Sequence, residues 1–228
     1  MPTLLLVRHA QASFGTTDYD VLSALGERQA RALDAELRRR GSSPDVLVCG
    51  TLRRQRDTVA AIADGREPSL DPGLNEYDSD QILAAHTSSS LRQAFTTSPP
   101  PAADIDAASR EFQHVLDDGL RAWIGAGESS SAAETFPAFA TRVRRSVEAS
   151  AATLQSRQTA LLCPSGGVIR AACVALMGLP DEAFIVFNRV TVNTGITTIA
   201  VGRRGATLVS FNEHGHLQTS GESLVSYR

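Results

Sequence analysis

Short apolar runs alternate with helical patterns along most of this chain, and that alternation limits the folds open to it. Thr3-Leu4-Leu5-Leu6-Val7-Arg8 reads as a fully buried strand. Ser23 then stands where a helix N-cap belongs, and Gly26, Ala30, Leu33 and Leu37 follow on one helical face that ends near Gly41. Asp45-Val46-Leu47-Val48-Cys49 is a second strand, and a helix from about Leu52 carries Gln55, Val59 and Ile62 on one side. This β-α-β-α order predicts a parallel sheet with helices on its faces.

The pattern breaks between residues 77 and 135. That stretch holds a Ser/Thr/Pro-rich loop (Thr87 to Pro101) and an amphipathic helix bearing Phe112, Leu116, Leu120 and Trp123. Gly127–Ser131 closes it. A loop this long is more than a connection, so 77–135 reads as an inserted helical subdomain. The α/β pattern then resumes. A helix is expected over Phe136 to Gln155, a strand over Thr159–Cys163, and a helix after Ser165-Gly166-Gly167. Two final strands, Ile196–Val201 and Thr207–Phe211, flank a Gly-Arg-Arg-Gly turn. With no internal repeat, the 228 residues read as one domain carrying an insertion.

Composition removes several chemistries. All 22 basic residues are arginine. Without lysine there is no Schiff base and no Walker A lysine, and any phosphate must be held by arginine, histidine, hydroxyls or backbone N–H groups. A net charge of −3 with no basic stripe argues against a nucleic-acid partner. No apolar run reaches membrane-helix length, and the apolar start lacks the basic flank of a signal peptide. The odd cysteine count (Cys49, Cys163 and Cys173) argues against a disulfide framework, so a cytoplasmic location is expected.

Ligands of parallel α/β sheets bind beyond the carboxyl ends of the strands. The first strand ends there in Arg8-His9-Ala10-Gln11, and the later one in Ser165-Gly166-Gly167. Past the second strand, Thr51-Leu52-Arg53-Arg54-Gln55-Arg56-Asp57-Thr58 brings three arginines and a helix N-terminus, where anions are favoured.

These segments together resemble the histidine phosphatase superfamily, which includes phosphoglycerate mutases and many small phosphatases. Leu-Leu-Val-Arg8-His9-Ala10-Gln11 is similar to its opening motif, with Ala10 where glycine is usual. Leu22–Ala30 is similar to its first-helix pattern, and the 51–58 segment to the one bearing its second arginine, here Arg54. Leu74-Asn75-Glu76 resembles the segment supplying its acid. Cys163-Pro164-Ser165-Gly166-Gly167-Val168-Ile169-Arg170 resembles a stretch that normally carries a second histidine, and Asn193-Thr194-Gly195-Ile196 the one after it.

The resemblance implies a three-layer α/β/α fold with a mostly parallel central sheet, and 77–135 as an inserted helical lid. It implies phosphoryl transfer through His9, with Glu76 as general acid and base. Arg8, Arg54, Ser165 and Gly166 would hold the phosphoryl group of a small phosphorylated substrate. No metal or organic cofactor is expected. A histidine between two arginines should be held neutral and nucleophilic.

Ser165 takes the place of the second histidine in this register, which implies a slow or retuned phosphatase, or a phosphate-binding homologue with a regulatory role. His86, His114, His214 or His216 could fill the gap, and Ser165 also stands where it could cap the following helix. The lid segment carries three arginines against nine acids, unfavourable for a multiply charged sugar bisphosphate and hence for mutase activity. Two further readings are weaker. A serine-hydrolase elbow at Ser165 with Asp181 and His214 leaves Arg8, His9 and Arg54 unexplained. A metal pair at His214 and His216 lacks a third ligand.

Overall fold

The computed structural model describes residues 1–13, 20–87, 105–219 and 222–227. Its centre is a six-stranded sheet in the order β3-β2-β4-β1-β5-β6, with β1 Thr3–Val7, β2 Val46–Cys49, β3 Ser69–Leu70, β4 Thr159–Cys163, β5 Ile196–Gly202 and β6 Gly205–Glu213. The first four in that order run parallel, and β5 and β6 are antiparallel. This is the expected α/β fold with a mixed, mostly parallel sheet. The carboxyl ends of β1, β2 and β4 therefore share one edge.

Alternating side chains build two cores on opposite faces of the sheet. Leu4 and Leu6 point to one face with Ala160 and Leu162, against Phe139 and Val143 of helix Phe136–Ala152 and Val168 and Ala172 of helix Gly166–Met177. Leu5 and Val7 point to the other with Leu47 and Leu161, against Leu33 and Leu37 of α1 (Ala24–Arg39) and Val59 of α2 (Arg53–Ala60). Numbered in order, the remaining helices are α3 Ser79–His86, α4 Ile105–Ala126, α5 Phe136–Ala152, α6 Gly166–Met177 and α7 Ala183–Asn188. Ser23 caps α1 as expected, its hydroxyl accepting from Gly26 N–H at 3.0 Å.

Helix α4 packs through Trp123, which is fully buried, meets Phe136 edge-on at 5.2 Å and lies 5.5 Å from Tyr77. Such aromatic pairs contribute about 0.5–1.5 kcal/mol each beyond area burial. They tie α4 to Tyr77, the residue that follows Glu76, and to Phe136 at the start of α5. Beyond Thr87, the expected loop to Pro101 lies outside the described residues, as does the Phe112 side chain.

Several boundaries differ from the sequence reading, α2 among them: it stops at Ala60 and leaves Ile62 beyond its end. Helix α5 stops at Ala152, not Gln155, because Arg157 takes the left-handed conformation (φ 70°) and Gln155 N–H turns to the Gln158 side chain. The last two strands run longer on both sides of their turn, which Gly205 closes at φ 115°. Strand β3 was not expected; two exposed residues carry no periodicity. Among the described residues no helix is long and apolar enough to cross a membrane.

Candidate active site

His9 leaves the end of β1 into a web of main-chain ties. Its N–H donates to Pro164 O at 3.2 Å, and Asn193 Nδ2 donates to its carbonyl at 3.0 Å. Ala10 N–H donates to Thr58 Oγ1 at 2.9 Å, and that hydroxyl donates to Arg54 O at 2.7 Å. The ends of β1 and β4 and the first turns of α2 thus hold one another.

His9 is 5% exposed. Arg54 Nε–H lies 3.2 Å from His9 Nε2, and His9 Nδ1 lies 2.8 Å from Ala10 O. A guanidinium only donates and a carbonyl only accepts, so the proton sits on Nδ1 and the Nε2 lone pair faces Arg54. Burial chiefly, then the Arg54 and Arg8 charges, hold the His9 pKa well below its ordinary value, against the raising effect of the bond to Ala10. The neutral ring expected from the two arginines is thus mainly a consequence of burial.

Arg8 extends beside this ring, its Nη1 donating to Thr191 O and, at 2.9 Å, to Tyr227 O. Arg54 comes from the first turn of α2, and its Nη1 meets Asp20 Oδ1 at 2.7 Å. The other Asp20 oxygen accepts from Arg53 N–H at 2.7 Å, so one carboxylate caps α2 and pairs with the arginine beside His9.

Glu76 arrives from the neighbouring strand end, after a 3-10 turn over Pro72–Leu74. Arg142 Nη1 braces that turn through Gly73 O at 2.9 Å and Asn75 O at 3.0 Å. Gly167 N–H donates to Glu76 Oε2 at 3.0 Å. A Cβ on Gly167 would stand 2.0 Å from Glu76 Oε1, so this approach requires glycine.

Ser165 is fully buried and occupies the N-cap position of α6, but its hydroxyl makes no cap bond. The capping expectation is corrected: Glu76 takes the Gly167 N–H, and Ser165 Oγ accepts from Gln55 Nε2 at 3.1 Å. Gly166 packs on Arg8, whose Nε would lie 3.2 Å from a Cβ there. Arg8, His9, Arg54, Glu76, Ser165 and Gly166 are therefore gathered at one sheet edge.

The other histidines bond elsewhere. His86 Nε2 meets Ser130 Oγ, His114 is exposed, His214 Nδ1 bonds Asn212 O and His216 Nε2 meets Thr194 Oγ1. Ser165 Oγ engages Gln55, not His214, which leaves the hydrolase-elbow reading without its hydrogen bond. Among the described residues no group of three or more His, Cys, Asp or Glu side chains could hold a metal.

Asp20, Gln55, Thr58, Asn193 and Arg142 complete the site and went unrecognised in the sequence. Thr58 lies one helical turn from Arg54 and could have been found from that spacing. A lone acid such as Asp20 carries no such signal.

A family model of the histidine phosphatase superfamily (branch 1) matches residues 4–214. The chain belongs to that superfamily. No curated protein matches it. Among solved structures, a phosphoserine phosphatase mutant from Entamoeba histolytica in complex with phosphoserine aligns with a TM-score of 0.64 at 18% identity, covering 96% of this chain and 100% of that one. The same organism's phosphoserine phosphatase with 3-phosphoglyceric acid gives 0.63 at 19%, covering 96% and 100%. A mycobacterial glucosyl-3-phosphoglycerate phosphatase gives 0.60 at 21%, covering 92% and 98%. At these identities the structures share the fold.

Proposed function

We propose that this chain is a phosphomonoester hydrolase that works through a phosphohistidine on His9. One observation carries the reading: the buried, neutral His9 has its proton on Nδ1 and its Nε2 lone pair toward Arg54. As the phosphoryl group enters, Arg54 Nε–H turns from Nε2 to a phosphoryl oxygen; the freed Nε2 lone pair attacks phosphorus, the N–P bond forms and the ester P–O bond breaks. Glu76 gives its proton to the departing oxygen. Glu76 then takes a proton from water, whose oxygen attacks phosphorus, and the N–P bond breaks to release phosphate. The Ala10 carbonyl stabilises the charge that the ring gains on phosphorylation. Arg8 and Arg54 bind the phosphoryl oxygens.

Ser165 stands where a second histidine is implied by the family resemblance. Gln55 donates to Ser165 Oγ, so the hydroxyl's own proton is free to turn toward a phosphoryl oxygen, with Gly166 N–H beside it. A serine reaches less far than a histidine, and the reading is of a slow phosphatase. The 77–135 segment is the lid, and its excess of acids disfavours substrates carrying a second strong anion.

Serine at 165 also supports a second reading, a phosphate-binding homologue with a regulatory role. Turnover of an aryl phosphate by wild type, His9→Ala and Ser165→His separates the two. Wild-type turnover that vanishes in His9→Ala supports the hydrolase. No wild-type turnover, with activity appearing in Ser165→His, supports the binding protein.

A further inference from the structure

Arg170 is buried in the second turn of α6, and the proposed phosphoryl-transfer steps give it no role. Its side chain is 6% exposed, and Nη2 lies 3.7 Å from Glu76 Oε2. The same Nη2 lies 3.5 Å from the Tyr77 hydroxyl. The guanidinium stands 4.9 Å from the Phe184 ring centroid and 6.0 Å from that of Tyr77. Its Nε–H has no partner among the described residues.

That arrangement is poor as a stabilising device. With the carboxylate beyond hydrogen-bond distance and the Arg170 Nε–H without a partner among the described residues, the Arg170–Glu76 pairing itself gives back little of the desolvation it costs. As a device for aiming Glu76 it is well placed. Gly167 N–H and Arg170 Nη2 both approach the same oxygen, Oε2, from successive turns of α6. Oε2 is thereby held on the helix by two donors, while Oε1, among the described residues, accepts from Tyr77 N–H alone, at 3.3 Å, and keeps a second lone pair for proton exchange.

The guanidinium is braced in turn. Arg170 Nη1 donates to Asn188 Oδ1 at the end of α7, and Asn188 Nδ2 donates to Asp117 Oδ1 at 3.2 Å. Asp117 belongs to α4, is 1% exposed, and also accepts from Gln113 at 2.8 Å and Arg189 at 2.9 Å. A continuous hydrogen-bonded path thus runs from α4, within the 77–135 segment, to the arginine beside Glu76.

We propose that Arg170 is the positioning residue for Glu76, and that Asn188 and Asp117 transmit the seating of α4 to it. The proposal rests on the reading of Glu76 as the proton donor to the leaving group. It makes a specific demand. An alkyl leaving group must be protonated as it departs, whereas p-nitrophenolate departs readily without help. Loss of Arg170 should therefore harm alkyl phosphates selectively.

The test compares kcat/KM for p-nitrophenyl phosphate and a simple alkyl phosphate across wild type, Glu76→Gln, Arg170→Met, Arg170→Lys and Asn188→Ala. Arg170→Met is expected to lose on the order of 10–10²-fold on the alkyl ester, as a misplaced catalytic group does, and about threefold or less on the aryl ester. Arg170→Lys should recover part of the alkyl activity by restoring the charge. Asn188→Ala should show the same selectivity in weaker form. Equal losses on both esters, or none, overturn the proposal. A selective loss in Glu76→Gln with none in Arg170→Met overturns the Arg170 assignment alone, and the absence of selectivity in Glu76→Gln overturns the Glu76 reading and Arg170 with it.

A crystal structure of Arg170→Met tests positioning without turnover. The Glu76 carboxylate should have left Gly167 N–H while the path of α6 is unchanged. A carboxylate still seated there overturns the proposal even if the wild type hydrolyses neither ester.

Discussion

Arg54 Nε–H lies 3.2 Å from His9 Nε2, so the ring nitrogen facing Arg54 carries a lone pair and not a proton. The opposite nitrogen is fixed by Ala10 O. Nitrogen-15 shifts of the His9 ring should report a neutral Nδ1–H tautomer throughout pH 6–8. A ring that titrates near the ordinary histidine value contradicts the burial and charge effects assigned to it.

If Arg54 binds phosphate as proposed, Asp20 competes with that phosphate for it. The Asp20 carboxylate meets Arg54 Nη1 at 2.7 Å, and its charge repels an incoming dianion. Asp20→Asn keeps an acceptor for Arg53 N–H and removes the charge. Inorganic phosphate should then bind several-fold more tightly, roughly 3–10-fold at about 1 kcal/mol. Titration calorimetry at fixed salt measures it; equal or weaker binding means that Asp20 serves Arg54 chiefly as a positioning partner.

Gly167→Ala should separate activity from stability. The added Cβ displaces the mobile end of Glu76 and presses on the Tyr77 ring, whose nearest carbon would lie 2.8 Å away. Activity on an alkyl phosphate should fall on the order of 10²-fold. Thermal unfolding should show a loss of only about 1–3 kcal/mol, the usual range for overpacking. An active Gly167→Ala protein contradicts the placement of Glu76.

Ser165→His should raise the rate if the serine is a weak substitute donor. Recovering one such donor is worth about 10²–10³-fold. Pre-steady-state release of p-nitrophenol reads the first step directly. A lower burst rate in Ser165→His would mean that the pocket around Gln55 is shaped for serine.

Stability should fall in mild acid. Burial holds both His9 and His216 below the ordinary histidine pKa, with His216 at about 4. Both are therefore neutral when folded and take up a proton on unfolding below about pH 6.5. The unfolded state then binds more protons, so stability is full above that pH and declines as the pH falls from about 6.5 toward 4. His216→Asn should flatten the decline by about one proton in denaturant titrations run across that range. An unchanged slope contradicts the burial of His216.

The parts of this protein that were legible in the sequence are those set by local pattern. Buried strands announce themselves by apolar runs, so Arg8 and His9 could be placed at a carboxyl end before any contact was known. Ser23 could be read as a cap because capping is decided within three residues, and its bond to Gly26 N–H agrees. Ser165 misled for the same reason. Its local setting is that of a cap, but Glu76, distant in sequence, takes the N–H that it would have bound. Asp20 and Arg142 escaped notice, and Arg170 was named in its motif without a role, because their partners lie 34, 67–69 and 94 positions away and nothing in their neighbours encodes that distance. The strand order was hidden likewise, since β5 joins β1 by antiparallel pairing that helix–strand alternation does not express.

The phosphohistidine itself tests the account most directly. The protein is mixed with an aryl phosphate, quenched in alkali within milliseconds and digested for mass spectrometry, beside the His9→Ala variant. The account predicts an alkali-stable, acid-labile phosphoryl group on the His9 peptide, formed at least as fast as turnover, and neither adduct nor turnover in His9→Ala. Hydrolysis that continues in His9→Ala, or an adduct on another residue, contradicts it.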